Sequence, residues 1–553
     1  MKFDTSYMDI AFINGSVITV NENDDIVEAV GVKKNKIVYV GTTEEILKYT
    51  DKNTRIIDLK GKTLMPGIID THYHPILSGF FGDTPDASII NTDTTTCKSV
   101  KDIIDLMKKA VALKKPGEWV SSMGYEPMFL EEKRHPTLEE LDEAGPDNPI
   151  QCMHIGGHIS MYNSKALELI GVYGPEDAAK YPQDEIDVKD GKLTGLVRDN
   201  THFLLWSKVN YSSKEQEEAA MKSYHKMIAN GVTSIHDCGA CDAPSYHIMQ
   251  KLCRERIFKI RDYMLLHSIY GKPFSYVDNE HWFALGLMSG LGDNYFKIGG
   301  SKFMIDGGSG APSCACREPF SHDASVPGVL GWGRQEVADY IEKINEAECQ
   351  ATAHAIGDLA VEFMVEGYEK AFEKSRRPDL RHRIEHCTIS DEDLIKRMAK
   401  MNICPTLNSG MITFQGKHYA EIYGTKRSKY LIALRSMLDA GMKPSIASDS
   451  PSGPVGLAVI DGAVNRYDRN ENYQFDTTQC ISVLEGIRCA TYNGAYSSFE
   501  ENIKGSLEAG KLADMVVLSE DILKYPKEKM NEISVEMTFI DGELVYEKGV
   551  TQK

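Results

Sequence analysis

Met65-Pro66-Gly67-Ile68-Ile69-Asp70-Thr71-His72-Tyr73-His74 is the stretch from which the rest of the chain can be read. A short apolar run, entered through a Pro-Gly turn, ends in His-x-His. As a strand it points alternate side chains to opposite faces, so His72 and His74 face the same way. Two imidazoles at the mouth of a strand can grip one metal ion. The same spacing also occurs in ordinary strands, where the histidines are surface groups or hydrogen-bonded core. A metal site would need further ligands from later in the chain.

The main body holds eight short apolar runs that end in polar or ionisable residues: 67–74, 233–237, 259–266, 296–306, 351–354, 380–386, 402–407 and 443–449. Segments between them, such as 335–348 and 391–401, have helical spacing. Strands alternating with helices in this number predict an α/β fold, a (β/α)8 TIM-like barrel with its chemistry at the strand C-termini. The gap between the first and second runs is too long for one crossover, so residues from about 85 to 215 are read as an insertion over the barrel mouth. Residues 9–62 carry short β-branched or alternating runs with Asn14-Gly15 and Asn35 as turn residues. The far end, 513–518, 537–540 and 543–545, has the same texture around an Asp541-Gly542 hairpin turn. Neither end could bury both faces of a sheet alone. Together they predict a small β-sandwich domain from 1–64 and 505–553, flanking a barrel domain at 65–504.

Bulk properties narrow the function class. The chain has 553 residues and is 42% hydrophobic, enough for a large core and more than one domain. A net charge of -19 disfavours nucleic acid and anionic membrane as partners. Met1 to Asp9 lacks the apolar core of a signal peptide, and no run has the apolar length to cross a bilayer. The 12 Cys are scattered, and neither Cys238-x-x-Cys241 nor Cys314-x-Cys316 has a matching second pair. The expectation is a cytoplasmic enzyme acting on a small molecule, with a homodimer as the default assembly.

Later strand ends supply more candidates. His354 closes Ala351-Thr352-Ala353-His354, His386 closes Arg383-Ile384-Glu385-His386, Asp449 precedes Ser450-Pro451, and Lys302 sits in an otherwise apolar run up to Asp306. Each has a bland reading: core histidine, helix-capping aspartate, snorkelling lysine. Their order decides against coincidence, because they fall on the first, fourth, fifth, sixth and eighth runs and so surround one barrel mouth.

These motifs, with His354-Ala355-Ile356-Gly357-Asp358 and the Gly505-to-Asp514 segment, resemble the amidohydrolase superfamily nearly end to end. More narrowly, they resemble its N-substituted formamide deformylase-like branch (amidohydrolase family 3). The resemblance implies one or two divalent metal ions, with zinc favoured by four imidazoles and iron or manganese as alternatives. It implies that His72, His74 and Asp449 hold one ion and His354 and His386 the other. Lys302, carboxylated by carbon dioxide, would bridge them as a carbamate. Asp449 would double as the proton shuttle. In the insertion, Gly157-His158 resembles a segment whose His faces the substrate, so His158 is read as a hydrogen-bond donor to the scissile oxygen, with Tyr125 as a pocket-lining residue. Asp199 stands where the branch more often has Glu. Asp70, Asp306 and Asp358 are read as supporting groups.

Cleavage of a C–N bond in an amide, N-substituted formamide or cyclic amide is the expected reaction. Deamination of an amino-substituted ring on the same fold is a second reading, although deaminases of the superfamily generally lack the bridging lysine. A lactone or ester hydrolase remains an alternative, because the same hydroxide attacks either carbonyl. A non-catalytic scaffold would typically have replaced several ligand positions, and all are filled here.

Overall fold

The computed structural model describes residues 7–93, 96–182, 185–239, 243–268, 279–310, 313–326 and 328–550. Cys241 therefore lies outside the described residues. Eight parallel strands form the central sheet: β1 (Ile68–Tyr73), β2 (Val232–Asp237), β3 (Arg261–Ser268), β4 (Phe296–Met304), β5 (Ala351–Ala355), β6 (Arg383–His386), β7 (Cys404–Leu407) and β8 (Ser445–Ile446). They pair in chain order. The circle closes where Tyr73 bridges Ser450 and the Asp449 N–H donates to the His72 carbonyl at 2.9 Å. This is a TIM-type barrel, with all eight runs in place.

Two runs shorten most against the sequence reading. Residues 378–380 form a 3-10 turn and Arg381 adopts φ +47°, so β6 begins only at Arg383. Pro444 has no N–H to give the ladder, and β8 shrinks to Ser445–Ile446. The helices fall where the spacing put them, as Arg334–Glu346 and Glu392–Lys400, the second capped by Asp391. Gly67 is required where β1 begins, because a Cβ there would lie 2.1 Å from Thr233 Oγ1 on β2.

Both chain ends build two further sheets. One has four strands, all from the N-terminal segment. The other has six: Glu543–Glu547, Val535–Ile540 and Met515–Leu518 from the C-terminal end lie beside Thr63–Pro66, Ser16–Ile18 and Ile26–Val27 from the N-terminal one. Phe12, Val30 and Leu64 meet Met515 and Phe539 between them, with Phe12 and Phe539 edge to face at 5.1 Å. Asp541 and Gly542 both have positive φ, as a tight hairpin turn needs. The strand Thr63–Pro66 runs into β1 through Gly67, so the sandwich hands the chain directly to the barrel.

The insertion is a seven-stranded sheet between Phe81 and Arg198, with its own core around Ile103, Met107, Leu141 and Ile150. The segments Met153–His158 and Phe203–Trp206 reach the barrel mouth and roof it. Among the described residues, no helix is long and apolar enough to cross a membrane.

Candidate metal centre

Pleat alternation on β1 aims His72 and His74 into the mouth, their rings 5.3 Å apart. Asp449, just past β8, places Oδ1 3.5 Å from His72 Nε2 and 3.3 Å from His74 Nε2. Lys302 on β4 is 3% exposed, and its Nζ lies 3.2 Å from His72 Nε2. The His386 ring stands 4.5 Å from His72 and 4.4 Å from His354. Six side chains from five strand ends, separated by up to 377 positions in sequence, thus line one cavity of about 140 Å3.

The backbone is bent to achieve this. Alternation along β6 would put His386 on the face opposite Glu385; a left-handed φ of +68° at His386 turns it inward instead. Asp449 is also left-handed, at φ +57°. Such conformations cost about 1–3 kcal/mol each and persist where surrounding bonds impose them. Here Asp70 accepts from the Ser448 N–H at 3.0 Å, tying β1 to the segment that carries Asp449. Asp306 accepts from the N–H groups of Ala315, Ile356 and Gly357 at 2.8–3.0 Å, pinning the loop after β4 to the one after β5. Burial pushes both carboxyls up to about 7. Asp358 accepts from the Arg317 N–H at 2.9 Å, at the start of the helix after β5.

Outer hydrogen bonds decide which imidazole nitrogen faces the cavity. His72 Nδ1 meets Glu385 Oε2 at 2.7 Å, and His386 Nδ1 meets Asn408 Oδ1 at 2.7 Å, leaving Nε2 of each for a ligand. His354 Nε2 donates to the Gly307 carbonyl at 3.1 Å, leaving Nδ1. Burial, then the Lys302 ammonium and the neighbouring ring of His386, hold His72 well below the ordinary imidazole value; burial and the rings of His386 and His158 do the same for His354. Neutral imidazoles are the form that binds metal. Burial alone would raise the Asp449 carboxyl, but the facing His72 and His74 rings hold it below the ordinary carboxylate range. The donor set of imidazole nitrogens, a carboxylate and outer hydrogen bonds suits a divalent metal ion. His72, His74 and Asp449 offer donor atoms within 4.8 Å of one another.

His158 reaches the same cavity from the roof, its ring 5.1 Å from His354, with Nδ1 3.6 Å from Asp199 Oδ1. Tyr125, expected at the pocket, lies elsewhere. A bulge between Met123 and Tyr125, with Gly124 at φ +122°, breaks the alternation, so Met123 lines the cavity. Tyr125 turns into the insertion core, where its hydroxyl bonds His135 Nδ1 at 2.9 Å. His236 is buried inside the barrel and accepts from Arg383 Nη1 at 2.6 Å.

Three residues went unassigned in the sequence. Glu385 joins His72, Arg383 and Thr352; Asn408 orients His386; His267, one residue before the end of β3, lines the cavity. Only Glu385 left a readable trace, since Arg383 and Glu385 share a strand face and suggest an inward ion pair. Cys314 and Cys316 place their sulfurs 3.8 Å apart, on the loop after β4.

Comparison with known proteins bears on the family and the fold. Residues 55–546 match the amidohydrolase family profile. The chain is 26% identical over 560 residues to the N-substituted formamide deformylase of Arthrobacter pascens, covering 98% of this chain and 99% of that one. It is 27% identical over 546 residues to YtcJ of Bacillus subtilis (strain 168), covering 97% and 98%. The crystal structure of an uncharacterized metal-dependent hydrolase from Pyrococcus horikoshii OT3 superposes with a TM-score of 0.73 at 22% identity, over 94% of this chain and 99% of that one, which supports the fold. The chain belongs to the amidohydrolase family.

Proposed function

We propose that this protein is a metal-dependent amidohydrolase cleaving the C–N bond of a neutral amide, with N-substituted formamides as the first class to consider. One observation carries the reading. The six convergent side chains sit at the floor of a cavity whose remaining wall is mainly apolar, including Met123, Met153, Phe203, Trp206, Met304 and Met411. Among the described lining residues only Lys302 and Asp449 are charged. No cation is left over for a substrate carboxylate, and no second acid for an ammonium group, so an uncharged substrate with an apolar substituent fits best.

His72, His74 and Asp449 would hold one divalent ion, and His354 and His386 a second, with zinc in keeping with the imidazole donors. A carbamate on Lys302 would join the two; an unmodified ammonium would repel both. When bound, the metal lowers the pKa of water and polarises a carbonyl. Asp449 takes the proton of the attacking water and returns it to the leaving nitrogen. His158 donates a hydrogen bond to the scissile oxygen. The insertion's Phe203 and Trp206 hold the apolar substituent and keep bulk water out.

Metal analysis of the purified protein, followed by turnover of N-benzyl and N-alkyl formamides beside N-acyl amino acids, tests this. Bound divalent metal, chelator-sensitive activity and preference for the uncharged amides are expected. A protein without bound transition metal and indifferent to chelation would sink the hydrolase reading. Turnover of esters or lactones with amides untouched would sink C–N specificity.

A further inference from the structure

His267 lines the metal cavity but has no part in the ligand set above. It is 6% exposed and lies one residue before the end of β3, where its Cα is the register partner of Lys302 on β4, so the two side chains stand side by side on the inner face. Its Nδ1 lies 2.8 Å from the Gly239 carbonyl. A carbonyl only accepts, so Nδ1 carries the proton and Nε2 is left with its lone pair. Among the described residues that buried Nε2 has no hydrogen-bond partner. A buried acceptor left without a partner is costly, so it calls for a donor in the working protein.

The neighbouring lysine is short of an acceptor. Among the described residues, Lys302 Nζ has one polar contact, His72 Nε2, the nitrogen that the metal would need. We infer that His267 is a positioning residue for Lys302: its Nε2 accepts the single N–H that remains on Nζ after carbamate formation. This rests on the carbamate proposed above. In forming it, the neutral amine's lone pair attacks the carbon of carbon dioxide, an N–C bond forms, one C=O pair moves to oxygen, and the nitrogen gives one of its two protons to water. The remaining N–H lies in the carbamate plane. Holding it on the β3 side turns both oxygens away from β3, toward His72 and His386.

The test uses full-length protein loaded with zinc and 13C-bicarbonate, reading the carbamate 13C resonance and zinc per chain. Substituting His267→Phe keeps a ring and removes the lone pair; His267→Gln keeps an acceptor. The expected result is loss of the resonance and about 10-fold weaker zinc retention in His267→Phe, with both largely restored in His267→Gln. In a Lys302→Ala background supplied with acetate or propionate in place of the carbamate, His267→Phe is expected to have no further effect on zinc. An unchanged resonance in His267→Phe, or equal weakening in the Lys302→Ala background, would overturn the inference and leave the carbamate standing. Absence of the resonance from the wild type would overturn the carbamate itself, and this inference with it.

Discussion

Substituting Glu385→Gln separates the metal site from its support. Glu385 is fully buried on β6 and serves three partners. Oε1 accepts from Arg383 Nε at 2.8 Å and Thr352 Oγ1 at 2.7 Å; Oε2 accepts from Arg383 Nη2 at 3.1 Å and His72 Nδ1 at 2.7 Å. An amide of the same shape must aim its NH2 at one pair of these donors, so Arg383 loses an acceptor in either orientation, together with Thr352 or with His72. Removing one partner of a buried ion pair is expected to cost about 3–5 kcal/mol of stability. Losing the carboxylate that orients a metal-binding imidazole is expected to weaken metal affinity about 10–100-fold, or about 1.4–2.7 kcal/mol. Zinc affinity is read by competition with a chromophoric chelator on protein verified as folded by circular dichroism, and stability by urea denaturation. A control breaks another buried pair. Arg261 at the start of β3 donates to Asp514 at 2.6 and 2.8 Å, joining barrel to sandwich far from the mouth. Asp514→Asn should lower stability and leave zinc affinity alone. If Glu385→Gln binds zinc as the wild type does, or Asp514→Asn weakens it equally, the support assigned to Glu385 is wrong.

Replacing Asp449 with Asn should leave most of the metal bound and lower kcat about 10²–10⁴-fold; near-normal turnover would mean another group moves the proton. Lys302→Ala should lower metal content and activity together, with partial rescue by short carboxylates, and full activity without them would remove the bridge. A pH effect is expected at His382, away from the mouth, where it stacks on Tyr368 and burial lowers its pKa to about 3. The unfolded chain takes up a proton below about 6.5 and the folded chain does not. Stability from neutral His382 is therefore fully present above pH 6.5 and lost progressively as pH falls toward 3. At pH 5 wild type should have lost about 2 kcal/mol relative to His382→Gln, compared with pH 7.5, in urea titrations; a pH-independent difference would contradict the burial argument.

Much of the fold was legible because its signals are local. Eight apolar runs ending in polar residues, the Asp541-Gly542 turn and the Asp391 cap each depend on a few neighbouring residues. The same holds for His72 and His74, whose common face follows from the pleat, and for the other strand-end candidates once the runs are counted. What the sequence could not show depends on register between strands far apart in the chain, or on departures from regular backbone. The bulge at Gly124 sends Tyr125 into the insertion core and Met123 to the cavity; the glycine permits a bulge, but only the pairing with the next strand shows that one forms. The left-handed turn at His386 aims that ring against strand alternation. Glu385 acquires its role only because β6 lies across the barrel from β1, which brings its carboxylate to an imidazole 313 positions earlier. His267 became notable only when β3 and β4 paired it with Lys302 and left Nε2 without a donor among the described residues. Sequence determined which residue types reach the barrel mouth, because periodicity is a property of one strand; tertiary structure alone decided which atoms meet there, because a hydrogen bond needs two segments within about 3 Å.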